Sequence, residues 1–378
     1  MTQQLEHPDS ATYLGKGKVE ELSTLASERD ATVVIFDDEL SPAQGKNLEE
    51  QLGKRVVDRA ELILDIFATR ARTAEAKMQV ELAQLEYSLP RLMRMWTHLE
   101  KFRGGIGVRG PGESQLETDR RLVRERIKIL KDRLDDVAQS REVQRQGRRG
   151  VYRAALVGYT NAGKSSILRA LANDDQVFVE DRLFATLDPL TREVPLDDRH
   201  TVLATDTVGF IRKLPHHLVA SFRATLQEVR DADVIVHVID ASHPMWEEQR
   251  VVVDDVLHDL AVHDRPTIHA FNKMDALEPP FADALRERVT NLLPNSVFVS
   301  ALAPGGLAPL TEALLKASLA TRPVLQLRVP IEDGRLLALV YRESEVLDRR
   351  TEAGSHLLRV RAEEGAVGRL VSQGARVE

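Results

Sequence analysis

Hydrophobic residues in the first part of the chain form short blocks that alternate with helical segments. The run ATVVIFDD, residues 31–38, is apolar and β-branched and ends in acids, which predicts a buried strand. The next segment opens at Ser41 with a proline behind it and stops at Gly53, an order typical of a capped helix. The run RVVD predicts a second strand. We therefore predict a small α/β unit over residues 1–70.

A different periodicity begins near residue 74, where apolar residues recur at alternating steps of four and three. This spacing puts them on one stripe of a helix, and it returns between residues 119 and 140. Two such stripes separated by a glycine-rich segment predict a long antiparallel helical hairpin over 74–145, with a tip loop over 103–118. The apolar positions are Met78, Leu82, Leu85, Leu89, Leu92, Trp96 and Leu99 in the first arm, and Val123, Ile127, Leu130, Leu134 and Val137 in the second.

Strand and helix patterns alternate regularly in the remainder of the chain. The runs YRAALVG, TVLATD, DVIVHVID, TIHAFNK and SVFVS are separated by amphipathic segments, which is typical of a parallel sheet covered by helices on both faces. The last segment carries shorter runs that predict a small α+β unit. We therefore predict an α/β organisation in three units, at residues 1–150, 151–320 and 321–378.

Composition removes several classes of function. The absence of cysteine excludes disulfides, thiol catalysis and cysteine-bound metals. No stretch reaches the roughly 18 apolar residues of a membrane span, and the first residues lack the features of a secretory signal, so we expect a cytoplasmic protein without a membrane span. The net charge is -7, yet residues 120–149 hold eleven Lys or Arg against five Asp or Glu. This basic segment is either a solvated, ion-paired helix face or a nucleic-acid contact.

The most specific chemical signal is GYTNAGKS, residues 158–165, which fits the P-loop pattern G-x-x-x-x-G-K-S. It follows a predicted strand and opens a predicted helix, as the pattern requires. In that setting backbone N–H groups surround phosphates, the Lys164 ammonium reaches the β and γ oxygens, and the Ser165 hydroxyl binds Mg²⁺. The residues assigned to phosphate binding are Gly158, Tyr159, Thr160, Asn161, Ala162, Gly163, Lys164, Ser165 and Ser166.

The next two motifs are predicted to sense the γ-phosphate. LFATLDPLTRE contains Thr186, at the distance from the P-loop where translational GTPases place a threonine that joins Mg²⁺; Thr191 is the competing candidate. In DTVG, the Asp206 carboxylate can hold Mg²⁺ through water and the Gly209 N–H can meet the γ-phosphate. The predicted metal ligands are therefore Ser165, Thr186 and Asp206.

The last two motifs predict which base binds. In NKMD, Asp275 can accept hydrogen bonds from guanine N1–H and from the exocyclic amine, which adenine cannot supply. Asn272 can brace the P-loop, and Lys273 can pack against the base. Ser300 and Ala301 can place a backbone donor near guanine O6. In this order and spacing the motifs are those of a GTPase, with GTP as substrate.

The residue after DTVG departs from the familiar small GTPases. It is Phe210, whereas those enzymes have a glutamine that orients the attacking water. We therefore expect slow hydrolysis unless a backbone group, a cation or a partner assists. Asn161 is typical of GTPases that bind K⁺ beside the phosphates, the alternative being that it only braces the loop. The residues predicted to act in catalysis are Asn161, Lys164, Thr186 and Gly209.

The glycine-rich segment GGIGVRGPGES, residues 104–114, is not a second phosphate cradle, since no GK[ST] closes it. At the tip of a hairpin whose second arm is basic, its glycines allow close approach to a nucleic-acid backbone. Aromatic residues make up only 4% of the chain, which favours phosphate and shape contacts with structured RNA over base stacking.

Several of these segments resemble the HflX family of ribosome-associated GTPases. They include GGIGVRGPGESQLETDRR, ILDIFATRARTAEAKMQVELAQLEY, LFATLDPLTR and DTVGFIRKLPHHLVASFRATLQE, and the similarity covers residues 14–320. In that family the N-terminal segments form an HflX domain whose glycine loop reaches the peptidyl-transferase region of the large ribosomal subunit, and the protein splits stalled or idle ribosomes. The resemblance implies that activity here. We expect a monomer, and from the composition of the tip loop we expect contacts to ribosomal RNA through Arg103, Gly104, Gly105, Arg109, Gly110 and Gly112.

Two other functions stay open at this stage. The first is a GTPase that acts in assembly of the large subunit, which would sediment with immature particles. The second is a protein-binding module switched by GTP without RNA contact, whose affinity would respond little to salt. The C-terminal unit, with nine acids against eight arginines from residue 331 onwards, fits protein contact as well as RNA contact.

Overall fold

A computed structural model describes residues 7–95, 111–146, 151–174, 184, 186–212, 223–262, 264–352, 354–362 and 364–378. The N-terminal unit pairs two short parallel strands with three helices. The Ser41 side chain and Gln44 cap the second helix reciprocally, and Gly53 ends it at φ +60°, as its sequence predicts. The elements are α1 (Lys16–Glu28), β1 (Val33–Ile35), α2 (Pro42–Leu52), β2 (Arg55–Val57) and α3 (Arg59–Arg70).

Two long helices follow, α4 (Ala74–Met95) and α5 (Pro111–Gln146), and they pack against each other. Ion pairs between Arg126 and Glu81 and between Lys131 and Glu86 join them. Acidic side chains of α4 thus neutralise part of the basic charge on α5.

The tip loop predicted over residues 103–118 is wrong at its C-terminal end. Helix α5 begins at Pro111 and therefore includes Gly112. Proline suits the first helical position, where its missing N–H would have had no helical partner. The other predicted ribosome contacts, Arg103, Gly104, Gly105, Arg109 and Gly110, lie outside the described residues.

The central unit is a six-stranded sheet with the strand order β4-β5-β3-β6-β7-β8. Strands β5, β3, β6, β7 and β8 are parallel, which confirms the prediction, whereas β4 is antiparallel to β5. Its sequence, LTREVP, lacks an apolar run because the strand lies at the sheet edge. The elements are β3 (Arg153–Gly158), α6 (Lys164–Ala172), β4 (Leu190–Pro195), β5 (Thr201–Asp206), α7 (Arg223–Arg230), β6 (Val234–Asp240), α8 (Trp246–Asp259), β7 (Thr267–Asn272), α9 (Pro279–Leu292), β8 (Ser296–Phe298) and α10 (Ala308–Ala320).

The C-terminal unit is a four-stranded antiparallel sheet in the order β10-β11-β9-β12 with two helices. Leu327 and Leu358 of the sheet pack against Leu336 and Leu370 of the helices, which makes the small α+β unit that the sequence predicts. The elements are β9 (Val324–Pro330), α11 (Gly334–Glu343), β10 (Glu345–Glu352), β11 (Ser355–Arg361), α12 (Glu364–Ser372) and β12 (Arg376–Val377).

One hydrophobic core joins the N-terminal unit to the central sheet. It runs from α3 and the N-terminal half of α4 through the DTVG segment to the helices α7 and α8. At the boundary, the ring of Phe67 meets that of Phe184 edge-on, with centroids 4.7 Å apart. Among the described residues, no helix is both long and apolar enough to cross a membrane.

Candidate functional site

The predicted nucleotide motifs meet at one edge of the central sheet. Parallel strands end at the same edge, so the segments after β3, β5 and β7 are brought together there. These segments are the P-loop (158–165), DTVG (206–209) and NKMD (272–275). Ser165 and the next residue, Ser166, lie in the first turn of α6. Within the P-loop Ala162 is buried, and Asn161 adopts φ +62°.

Glycines allow the segments to approach closely. A Cβ atom on Gly158 would lie 2.3 Å from the Val238 carbonyl oxygen, and one on Gly163 would lie 2.2 Å from Nδ2 of Asn272. Gly163 also adopts φ +97°, a conformation that side chains disfavour. A Cβ on Gly209 would lie 2.7 Å from the Thr160 Cα. The pattern of glycines therefore follows from packing as well as from phosphate binding.

Lys164 is buried inside the loop, with 6% of its surface exposed. Its Nζ donates to the carbonyl oxygens of Gly158 at 3.2 Å and Tyr159 at 3.1 Å. Burial disfavours the charged ammonium and lowers the pKa of Lys164 to about 8, while the nearby carboxylate of Asp206 opposes this shift. A polyphosphate in the loop would supply the strong anionic partner that two carbonyls do not.

Ser165, Thr186 and Asp206 form a compact group of oxygen atoms. The Asp206 Oδ2 accepts hydrogen bonds from the Ser165 hydroxyl at 2.6 Å and the Thr186 hydroxyl at 2.7 Å. Asp206 is fully buried, which raises the pKa of its carboxyl group, and its Oδ1 has no hydrogen-bond partner among the described residues. Such an oxygen set fits Mg²⁺, which prefers hard oxygen ligands. When bound, this ion neutralises phosphate charge.

The competing threonine lies elsewhere. Thr191 is in β4, opposite Thr205 of β5, and the two hydroxyl oxygens are 2.9 Å apart. The structure therefore brings Thr186, and not Thr191, to the carboxylate of Asp206.

This difference predicts unequal effects of two matched substitutions. Thr186→Ala should weaken binding of a slowly hydrolysed GTP analogue about tenfold or more, because a contact to a charged group is worth about 1.5–3 kcal/mol. Thr191→Ala should change that affinity less than about twofold, since it removes one exchangeable hydroxyl contact. Fluorescent-nucleotide titration at fixed Mg²⁺ measures both. The reverse order of effects would show that Thr191 is the ligand.

Asn272 braces the P-loop, as its motif predicts. It is buried, and its Nδ2 donates to the Ala162 carbonyl at 3.0 Å. Its Oδ1 accepts from the Ala301 N–H at 3.2 Å, so the loop that follows β8 is tied to the P-loop through one side chain. The donation from Ala301 to guanine O6 stays a prediction.

Asp275, the predicted guanine acceptor, is held by a neighbouring hydroxyl. Its Oδ1 accepts a hydrogen bond from Ser300, whose Oγ in turn accepts from the Ala303 N–H at 3.1 Å. Lys273 forms an ion pair with Asp240 at 2.7 Å and adopts φ +63°. Ser300 therefore orients the carboxylate, a role the sequence pattern does not reveal.

Phe210 stands where the familiar small GTPases have their water-orienting glutamine, and here it is a packing residue. Its N–H donates to the Gly158 carbonyl at 3.0 Å, and its carbonyl accepts from the Thr160 N–H at 2.8 Å. Only 2% of its surface is exposed, and its ring lies in the core shared with α3 and α4. An apolar, buried ring offers no hydrogen bond to an attacking water molecule.

Contacts between the N-terminal unit and the segment around Thr186 were not predictable from the motifs. Asp188 accepts hydrogen bonds from the backbone N–H groups of Arg72 at 3.2 Å and Thr73 at 3.3 Å, and from the Thr73 hydroxyl. Arg59 donates to the carbonyl of Arg212 at 2.8 Å, just after DTVG. No local sequence signal pairs residues that are more than a hundred positions apart.

Comparison with known families gives three matches along the chain. The model "GTP-binding GTPase N-terminal" matches residues 1–68, "GTP-binding GTPase Middle Region" matches 70–148, and "50S ribosome-binding GTPase" matches 153–273. The third match contains the P-loop and DTVG, and it ends at Lys273 within NKMD.

Two similar proteins are the HflX GTPases of Magnetococcus marinus and Escherichia coli K12. The first is 47% identical over 365 residues, covering 95% of this chain and 83% of that protein. The second is 46% identical over 362 residues, covering 94% and 83%. The GTP-binding protein of Sulfolobus solfataricus, solved with GDP, is similar with a TM-score of 0.45 and 24% identity, covering 83% of this chain and 88% of that one.

Proposed function

The chain belongs to the HflX family of GTPases, and from that premise we propose that it binds the large ribosomal subunit and splits stalled or idle ribosomes in a GTP-dependent manner. Hydrolysis of GTP to GDP and phosphate is the chemistry of this family. Binding to the large ribosomal subunit, splitting of ribosomes and the residues responsible for both are what we propose in addition.

The observation that carries this proposal is an excess of basic residues in the middle of α5. Between residues 120 and 133, seven Arg or Lys stand against two acids, Glu125 and Asp132, and Arg121, Arg124 and Lys128 are exposed. The helix has 36 residues, which corresponds to about 54 Å at 1.5 Å per residue. A long arm with exposed basic residues along its middle fits the phosphate backbone of a large RNA.

The root of the same arm lies against the nucleotide-sensing segments. Phe184 and Asp188 contact α3 and the start of α4, and Phe210 is buried in the same core. A γ-phosphate that reorders these segments therefore changes the surface on which the arm rests. In this proposal bound GTP favours the arrangement of these segments in which the arm enters between the ribosomal subunits. Hydrolysis of GTP then releases the protein from the ribosome.

The nucleotide roles proposed above complete this mechanism. Lys164 and the N–H groups of the P-loop and of Gly209 bind phosphate; Ser165, Thr186 and Asp206 hold Mg²⁺. Asp275 selects guanine. Because Phe210 offers no help to water, we propose that hydrolysis depends on K⁺ beside Asn161 and on contact with the ribosome. A GTPase assay with and without large subunits, in K⁺ and in Na⁺, separates the two contributions.

The central experiment replaces residues 104–114 with a short Gly-Ser linker. The variant should bind GTP with unchanged affinity, since the nucleotide site lies in the central unit, and it should lose subunit splitting measured by sedimentation of 70S ribosomes with GTP. A control variant replaces the exposed residues Asp198 and Arg199, in the turn between β4 and β5, by Gly and Ser, and it should still split ribosomes. Splitting by the loop variant would contradict the assignment of the tip.

Salt and sedimentation distinguish the alternatives. Phosphate contacts make the logarithm of affinity fall steeply with the logarithm of salt concentration, so binding to isolated large subunits should weaken by orders of magnitude between about 50 and 200 mM salt. A flat response would favour a protein-binding module. Preferential sedimentation with immature particles would favour a role in assembly.

A further inference from the structure

The segment that presents Thr186 is anchored on the N-terminal unit. Two residues after Thr186, the Asp188 carboxylate accepts from the N–H groups of Arg72 and Thr73 and from the Thr73 hydroxyl. The Thr73 hydroxyl accepts in turn from the Ala76 N–H at 3.1 Å. Thr73 is therefore the residue before α4 that caps it, and Asp188 adds a negative charge at the positive end of that helix.

Two further contacts fix the same segment. Phe184 adopts φ +55°, its N–H donates to the Thr160 hydroxyl at 3.2 Å, and its ring packs edge-on against Phe67. Leu187 is 3% exposed and belongs to the core shared with α3 and α4. Thr186 is therefore flanked along the chain by the packed ring of Phe184 on one side and by the hydrogen-bonded carboxylate of Asp188 on the other. Its own hydroxyl points to Asp206.

We propose that Asp188 is a positioning residue for Thr186. By holding the chain on the N-terminus of α4, the Asp188 carboxylate keeps the Thr186 hydroxyl beside Asp206 and Ser165, where the GTP-bound form needs it. The N-terminal unit therefore completes the GTP-binding arrangement of the central unit. This inference rests on the proposed role of Thr186 and is independent of ribosome splitting.

If the Asp188 contacts only stabilised the association of the two units, substitutions at Asp188 would change nucleotide affinity in a different way. General stabilisation affects the protein whichever nucleotide is bound. A positioning role favours only the state in which Thr186 is engaged, because GDP lacks the γ-phosphate that this threonine is predicted to contact. The ratio of affinities for a slowly hydrolysed GTP analogue and for GDP therefore discriminates between the two roles.

The test measures both affinities by fluorescent-nucleotide titration of the full chain at fixed Mg²⁺. Asp188→Ala should weaken binding of the GTP analogue about tenfold, change GDP affinity less than about twofold, and raise the Mg²⁺ concentration needed for half-maximal analogue binding. Asp188→Asn keeps an acceptor oxygen and should fall between the parent and the alanine variant. Asp174→Ala, which removes a partly exposed carboxylate paired with Arg192 in the same unit, is the matched control and should leave the ratio unchanged.

Variants of Thr73, the partner of Asp188, test the same contact without changing Asp188. Thr73→Val should lower the affinity ratio in the same direction, Thr73→Ser should restore it, and the effects of Thr73→Val and Asp188→Ala should not add. Equal loss of analogue and GDP affinity, or an unchanged ratio in a variant that melts like the parent, would overturn the proposal. If Thr186→Ala leaves the ratio unchanged, the Thr186 assignment fails and this inference with it. Loss of splitting activity alone would not bear on either result.

Discussion

Lys164→Ala is expected to weaken GTP and GDP binding by about a hundredfold or more. The side chain is buried, and its ammonium is the group of the P-loop that can neutralise phosphate charge. Truncating one partner of a desolvated charge pair costs about 2–5 kcal/mol, because the other charge stays buried without its partner. Isothermal titration of purified protein with each nucleotide measures the loss.

The matched control is Lys316→Ala, which removes an exposed lysine of α10 in the same unit. It should bind nucleotide as the parent does. Both variants should unfold cooperatively near the parent's midpoint, because the Lys164 ammonium makes only two contacts to backbone carbonyls in the described structure. A Lys164 variant with parental affinity would contradict the phosphate role of GYTNAGKS.

Asp275→Asn is expected to reduce GTP affinity roughly a thousandfold and to create affinity for xanthosine triphosphate. Two charge-assisted hydrogen bonds to guanine are replaced by one acceptor and one clashing donor, and each such bond is worth about 1.5–3 kcal/mol. Xanthine carries a carbonyl where guanine carries its amine, so the asparagine amide matches it. Ser300 can still donate to the amide oxygen, so the loop keeps its support.

The expected gain of affinity for xanthosine triphosphate distinguishes a changed base preference from a general loss of nucleotide binding. Asp283→Asn, on the exposed surface of α9, is the control and should bind GTP normally. A misfolded protein would bind neither nucleotide, whereas a correct assignment exchanges one preference for the other. If the Asp275 variant kept its preference for GTP, another group would have to recognise the base.

The nucleotide motifs could be located from sequence because each is local. A P-loop requires a strand before Gly158 and a helix after Lys164, and both requirements are visible in a dozen consecutive residues. Parallel strands then bring separate motifs to one sheet edge without any further information. Capping residues such as Ser41 and Gly53 mark a helix end for the same local reason.

Features that depend on tertiary packing could not be read in this way. Strand β4 has few apolar residues because it lies at an edge, and α5 starts earlier than its apolar stripe because Pro111 favours a first helical turn. Phe210 is visible in the sequence as a missing glutamine, but its place in a core shared by two units is not. Asp188 lies in the segment LFATLDPLTRE, but nothing in that segment indicates its partner, which is 115 residues away.

The shared core also couples nucleotide binding to whatever the arm binds. Because α4, one helix of the arm, lies in the same core as Phe184 and Phe210, a displacement of α4 would also move the segments beside the nucleotide pocket. Thermodynamic linkage is reciprocal. If bound GTP raises the affinity of the arm for its target by some factor, the bound target must raise the affinity for GTP by the same factor. Docking on the target would then strengthen GTP binding by that factor, without any additional sensor.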